Sequence, residues 1–119
     1  MKYMVTLITD GSATAEMNPE QMREMGEEMG RFMAELEAAG ALVHTDALGP
    51  SAEARTLRYG ERGQAVVTDG PFAETKEQVA GYMVIECDGM ETALEWVRKM
   101  PVPGGALEVR PIASRPGGG

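Results

Sequence analysis

The sequence predicts an α+β fold of one domain, and three observations carry that expectation. Strand-like and helix-like runs follow one another in the order β-α-β, ribbon, β-α-β. Two of the strand runs, one at the start and one at residues 79–87, are apolar on both faces, as central strands of a covered sheet are. At 119 residues the chain holds a single core, burying about two thirds of the surface that the unfolded chain exposes.

Lys2 to Thr9 opens the sheet, with Tyr3, Val5 and Leu7 pointing one way and Met4, Thr6 and Ile8 the other. A helix is expected over 19–39: Asn18 is its N-cap, Pro19 its first residue, Gln21 completes a capping box, and Gly40 ends it. Met22, Met25, Met29, Phe32, Met33 and Leu36 recur at helical spacing and make its core face. Ala41 to Leu48 reads as a second strand, ended by Gly49-Pro50. Arg55 to Tyr59 and Gln64 to Thr68 flank the loop Gly60-Glu61-Arg62-Gly63 as a β-ribbon. Val79 to Cys87 is the most apolar run, and Gly81 in it lets another backbone come close. Asp88 to Glu91 repeats the capping-box spacing before a second helix, whose inner stripe is Ala93, Leu94, Val97 and Met100, with Trp96 beside it, and which Pro101 ends. Leu107 to Ile112 is the last strand. The domain is expected to span 1–113, with 114–119 a mobile tail.

This order is a ferredoxin-like split βαβ plan with an inserted β-hairpin. Two helices cover one face of such a sheet, yet both central strands are apolar on the other face too. A homodimer packing sheet against sheet is the economical cover, and charged substitution at Met4, Ile8 or Val84 is expected to disrupt either the core or the dimer.

Composition excludes several classes of function. A formal charge of −8 opposes binding to nucleic acid or anionic lipid, which is held through clustered Lys and Arg. Nothing approaches the ~18 apolar residues of a membrane span, and the N-terminus does not read as a signal peptide, so a cytoplasmic location with no membrane partner is expected. The single cysteine, Cys87, ends an apolar run and reads as an inert half of no disulfide. One histidine and one cysteine without ligand spacing predict no metal site, and no phosphate-binding glycine loop or other cofactor motif is present, so no cofactor is expected.

Three groups of residues could carry chemistry. Asp69-Gly-Pro-Phe-Ala-Glu-Thr-Lys-Glu77 sets Asp69, Glu74, Lys76 and Glu77 in one tight loop, where opposite charges can shift a carboxylate's pKa. Read as structure, Asp69 is a turn residue, Phe72 the loop's hydrophobic anchor, and the charges a solvated network. His44, the only histidine, shares a strand side with Leu42, Asp46 and Leu48. His44 and Asp46, two apart and thus roughly 7 Å from each other along the strand, can flank a small substrate, with imidazole as base and carboxylate as orienting group. An exposed, hydrogen-bonded strand histidine is the plainer reading. Glu108 and Arg110 share the face opposite Leu107 and Val109, as an interface ion pair or, with Arg55 or Arg58, as an anion-recognising arginine.

The loop at 69–77 resembles, nearly letter for letter, the signature of the DGPF branch of the YCII-related family, through Asp69, Gly70, Pro71 and Phe72. That family's closing Glu-Val-Arg-Pro stands here as Glu108, Val109, Arg110 and Pro111, and the resemblance runs from Met1 to Ile112. It implies a dimeric α+β barrel. Several relatives carry a histidine on the first helix as half of a suggested His/Asp pair; this chain has none there, and Asp69 stands as the acidic half. Related dimeric barrels include small-molecule enzymes, while DGPF proteins are often encoded beside extracytoplasmic-function sigma factors. Two functions are therefore carried forward. One is a small dimeric enzyme doing isomerase- or lyase-like proton transfer on a small organic molecule, with Asp69 and His44 catalytic and Glu74, Lys76, Glu77, Arg110 and Asp46 binding. The other is a non-catalytic small-ligand-binding or regulatory module.

Overall fold

A computed structural model describes residues 1–72 and 77–113. The expectations placed on Glu74, Lys76 and the tail at 114–119 lie outside the described residues. The chain runs β1 (Lys2–Thr9), α1 (Ser12–Ala15), α2 (Pro19–Ala38), β2 (Leu42–Ala47), β3 (Arg55–Tyr59), β4 (Ala65–Asp69), β5 (Gln78–Glu86), α3 (Met90–Arg98) and β6 (Ala106–Pro111). Four strands form an antiparallel sheet in the order β2-β5-β1-β6, and β3 and β4 form a two-stranded sheet of their own. That is the expected split βαβ order, with the ribbon inserted between β2 and β5.

Local signals set the elements. Asn18 accepts from the Gln21 N–H at 2.8 Å while the Gln21 side chain accepts from the Asn18 N–H at 2.9 Å, so the α2 capping box is complete, with Pro19 at its first position. Gly40, at φ +69, follows its end as a left-handed stop. The methionine stripe is less buried than its spacing predicts: only Phe32 and Leu36 are buried, Met25, Met29 and Met33 are half-buried, and Met22 is exposed. The early turns of α2 line an open cleft with Met17 and Pro101–Pro103 instead of the core. The capping box at Asp88 does not form. Gly89 takes the N-cap in fully extended conformation, its carbonyl accepting from the Ala93 N–H at 3.0 Å, which leaves Asp88 one position outside the helix. The short α1 was not foreseen; its entry is set by Asp10, whose Oδ1 accepts from the Ser12 N–H and Oγ at 2.8 and 2.7 Å, a signal with no apolar period.

The core lies between the helices and one face of the sheet. Tyr3 and Val5 of β1, Met83 and Ile85 of β5, Phe32 and Leu36 of α2, Ala41, and Ala93 and Val97 of α3 are buried together, with Leu107 and Val109 of β6 packed against them. Each fully buried aliphatic side chain contributes about 1.5–3 kcal/mol over an exposed one. Trp96 joins from the side, edge-on to Phe32 at 6.5 Å between ring centroids. Cys87 follows β5, half-buried against the core, its thiol donating to the Gly89 carbonyl at 3.5 Å. Through its Cα atoms the molecule measures 48 × 43 × 18 Å. With layers about 10 Å apart, the short dimension holds the sheet and one helix layer and no more. Among the described residues no element covers the second sheet face.

Candidate functional site

Strand register decides what the uncovered face presents. One row across it is His44, Val84, Met4 and Arg110; the next is Asp46, Tyr82, Thr6 and Glu108. A bulge on β2 between Leu42 and His44 makes this possible. Leu42 pairs with Ile85 and packs on the core side, and the extra residue, Val43, moves His44 opposite Val84 instead of Met83. Leu42 therefore does not share a side with His44, as simple alternation predicts, while His44 and Asp46 do. Without the bulge both polar side chains would point into the core.

Gly81 supports the same stretch. A Cβ there would lie 3.2 Å from the Asp46 carbonyl oxygen and 3.5 Å from the Ala47 Cα, so its lack of a side chain allows β2 to approach closely, as the sequence predicts.

Three side chains meet on that face. Asp46 Oδ2 lies 2.8 Å from His44 Nε2 and accepts from the Tyr82 hydroxyl at 3.2 Å, and the two rings tilt together at 5.7 Å between centroids. An ionised carboxylate only accepts, so Nε2 of a neutral His44 carries the proton and Nδ1 is left as a base. Tyr82 has its pKa raised, first by desolvation, then by its hydrogen bond to Asp46 and that residue's charge, so the phenol stays protonated. His44 and Asp46 side chains are 58% and 60% exposed, open to a small molecule but also to water. Tyr82 was missed by the sequence reading. Its only signal is alternation against Met83 and Gly81, and its partnership with Asp46 depends on the bulged β2–β5 register.

The other expected residues stand elsewhere. Arg110 pairs with Glu108 at 3.0 Å, the ion pair foreseen for the face opposite Leu107 and Val109. β6 lies three strand spacings from β2, about 14 Å, so a small molecule on His44 does not reach Arg110 of the same copy. Asp69 sits in the other sheet, at the base of the ribbon, where its Oδ1 accepts from Arg55 Nη1 at 3.0 Å; its recess is lined by Ala52, Glu53, Ala54 and Arg55, without His44. Phe72 is not buried as an anchor. It is 70% exposed under the Arg58 guanidinium, 4.8 Å from its ring centroid, and its carbonyl accepts from Arg58 Nη2 at 3.2 Å. Arg55 and Arg58 are thus committed to the ribbon. An apolar cavity of about 200 Å³ lies between the sheet and α2, with Met29, Met33, Met83 and Met100 in its walls. Among the described residues no three His, Cys, Asp or Glu cluster in a way that would hold a metal ion, and no helix is long and apolar enough to cross a membrane.

Fold and site together define an α+β domain with a four-stranded antiparallel sheet in ferredoxin-like order and a polar cluster on its uncovered face. The chain belongs to the YCII-related domain family, whose model matches residues 1–114. It is similar to the uncharacterized protein R00369 of Rhizobium meliloti (strain 1021), with 35% identity over 116 residues, covering 95% of this chain and 93% of the relative.

Proposed function

We infer that the uncovered sheet face is a site for proton transfer on a small organic molecule, of the isomerase or lyase kind, in a homodimer whose second copy covers that face. The observation that supports it is the convergence of His44 and Tyr82 on one carboxylate oxygen of Asp46. His44 Nδ1 takes a proton from a carbon made acidic by a neighbouring carbonyl. Asp46 fixes the tautomer and stabilises the imidazolium that forms. The proton returns at another carbon in an isomerisation, or a leaving group departs in an elimination. Asp69 belongs to this reading as a second polar group brought from the ribbon, with Glu74, Lys76 and Glu77 of the loop and Arg110 as ligand-holding groups supplied where two copies meet.

Proton transfer is tested without knowing the substrate. The protein is incubated in D₂O with pools of small carbonyl compounds and hydroxy acids, and carbon-bound protons are followed by NMR. Loss of a C–H signal with the natural protein, slowed about 100-fold or more by His44→Gln, is the expected result. Ligand binding by saturation transfer that is unchanged in His44→Gln, with no exchange in any pool, would reject catalysis and identify a binding module.

A further inference from the structure

We propose that the β3–β4 ribbon of each copy lies on the uncovered sheet face of its partner, along the β2 edge that carries His44 and Asp46, so that the partner's ribbon completes the site. The ribbon has two sides. Leu57 with Val67 and Tyr59 with Ala65 face each other across the strands on one side, above the Arg55–Asp69 pair, and Thr56 with Thr68 and Arg58 with Val66 on the other. Leu57, Val67 and Tyr59 are 47%, 60% and 72% exposed in the single copy, a continuous apolar strip open to solvent among the described residues. Two strands alone are marginal in water, and this pair forms a sheet of its own. Its base is held by the Gly70 N–H donating to the Ala54 carbonyl at 2.7 Å and by Thr56 Oγ1 donating to the Gly70 carbonyl at 2.8 Å, and on its other side Arg58 reaches the Phe72 carbonyl at 3.2 Å.

The same chain therefore carries two surfaces that need cover, the ribbon's apolar strip and a mixed sheet face on which Met4 and Val84 lie beside His44 and Asp46, and it cannot lay one on the other. At 18 Å thick, the molecule has no third layer, so the ribbon extends beside the sheet rather than over it. A second copy supplies the missing surface. Five-residue strands are about 17 Å long and the six residues of β2 about 20 Å, so a ribbon matches the edge it would cover. Charge favours the same pairing. Residues 55–69 carry Arg55, Arg58 and Arg62 against Glu61 and Asp69, a net positive arm on a chain of formal charge −8. Two such chains repel overall, and a basic arm reaching an acidic body is the contact that offsets the repulsion. The arm shuts water away from His44 and Asp46, which one copy leaves more than half exposed. This inference rests on the uncovered face being the site, but its test reads contacts and mass, not activity.

Tyr59 is replaced by the photo-cross-linking residue p-benzoylphenylalanine, and this protein is mixed with ¹⁵N-labelled unmodified chain, irradiated and digested. Cross-linked peptides joining residue 59 of one isotope form to β1, β2 or β5 of the other are expected. Links only within one chain, or only to the partner's ribbon or helices, would overturn the proposal. Independently, Leu57→Asp with Val67→Asp alters two exposed positions, so circular dichroism should be kept while sedimentation falls to the monomer mass. A dimer unchanged by both substitutions also overturns it. Loss of proton-transfer activity with the cross-link intact would count against the functional reading alone.

Discussion

Gly105→Ala tests how closely β6 is pinned to β1. Gly105 sits at φ +91, where an L-residue costs about 1–2 kcal/mol. A Cβ there would stand well under 3.0 Å from the Ile8 carbonyl oxygen, and 3.0 and 3.2 Å from Thr9 Cβ and Cα. Two of these are main-chain atoms and the third, Thr9 Cβ, is bonded directly to the main chain, all beside the β1–β6 ladder where Ile8 pairs with Ala106, so they cannot yield as the far end of a flexible side chain would. Overpacking of this kind adds about 1–3 kcal/mol. The expected loss is about 2–5 kcal/mol, a large share of the 5–15 kcal/mol typical of a domain. At about 4 °C per kcal/mol for this length, melting should fall by about 8–20 °C. Gly104→Ala is the control: its φ is not positive and its Cβ would meet the Ala13 methyl at 3.3 Å, with no main-chain atom of the described residues within 4 Å, so a shift within about 4 °C is expected. Thermal unfolding followed by circular dichroism compares the two, and amide exchange at Leu7, Ile8 and Leu107 locates the damage. Equal melting of the two variants would refute the close approach of residue 105 to β1.

Tyr82, with its folded pKa raised, contributes stability that is fully present below the ordinary tyrosine pKa of about 10 and is lost as pH rises through the folded value. Ultraviolet titration against a Tyr82→Phe reference should show Tyr82 titrating late, moved lower by Asp46→Asn but not to its ordinary value, because desolvation, the larger cause, remains. Cys87 should react slowly with disulfide reagents in the native state, being half-buried with its thiol donated to the Gly89 carbonyl; labelling as fast as in urea would contradict this. Asp69→Asn breaks an exposed ion pair with Arg55, so chemical denaturation should report a loss below about 1 kcal/mol, and a larger loss would mean that Asp69 holds the ribbon.

Element order was legible because each element advertises itself locally. Asn18, Pro19 and Gln21 mark the α2 start through hydrogen bonds between near neighbours, and β3 occupies the residues its pattern predicts. Failures came where a local signal competes with its surroundings. Asp88 has capping-box spacing, but the extended Gly89 took the cap, and Phe72, apolar and expected to anchor its loop, rests exposed beneath Arg58. The methionine stripe of α2 has helical period over its whole length, but the core reaches only its later turns, because periodicity names a face without saying how far a sheet extends beneath it.

The sequence by itself determined that two central strands are apolar on both faces while two long helices could cover only one, and that His44 and Asp46 would stand together on one strand. It also placed Glu108 and Arg110 on the strand face opposite Leu107 and Val109. Only the tertiary structure decided which side His44 and Asp46 would face, because that turns on one bulged residue, Val43, and a shift of one position exchanges the two faces of a strand. It likewise brought in Tyr82, whose hydroxyl reaches Asp46 from a residue 36 positions away. It sent Asp69 to a separate ribbon. Alternation along a strand is a property of consecutive residues and can be read from them, whereas register between strands is set by the packing of the whole sheet, and the chemistry of this face depends on register.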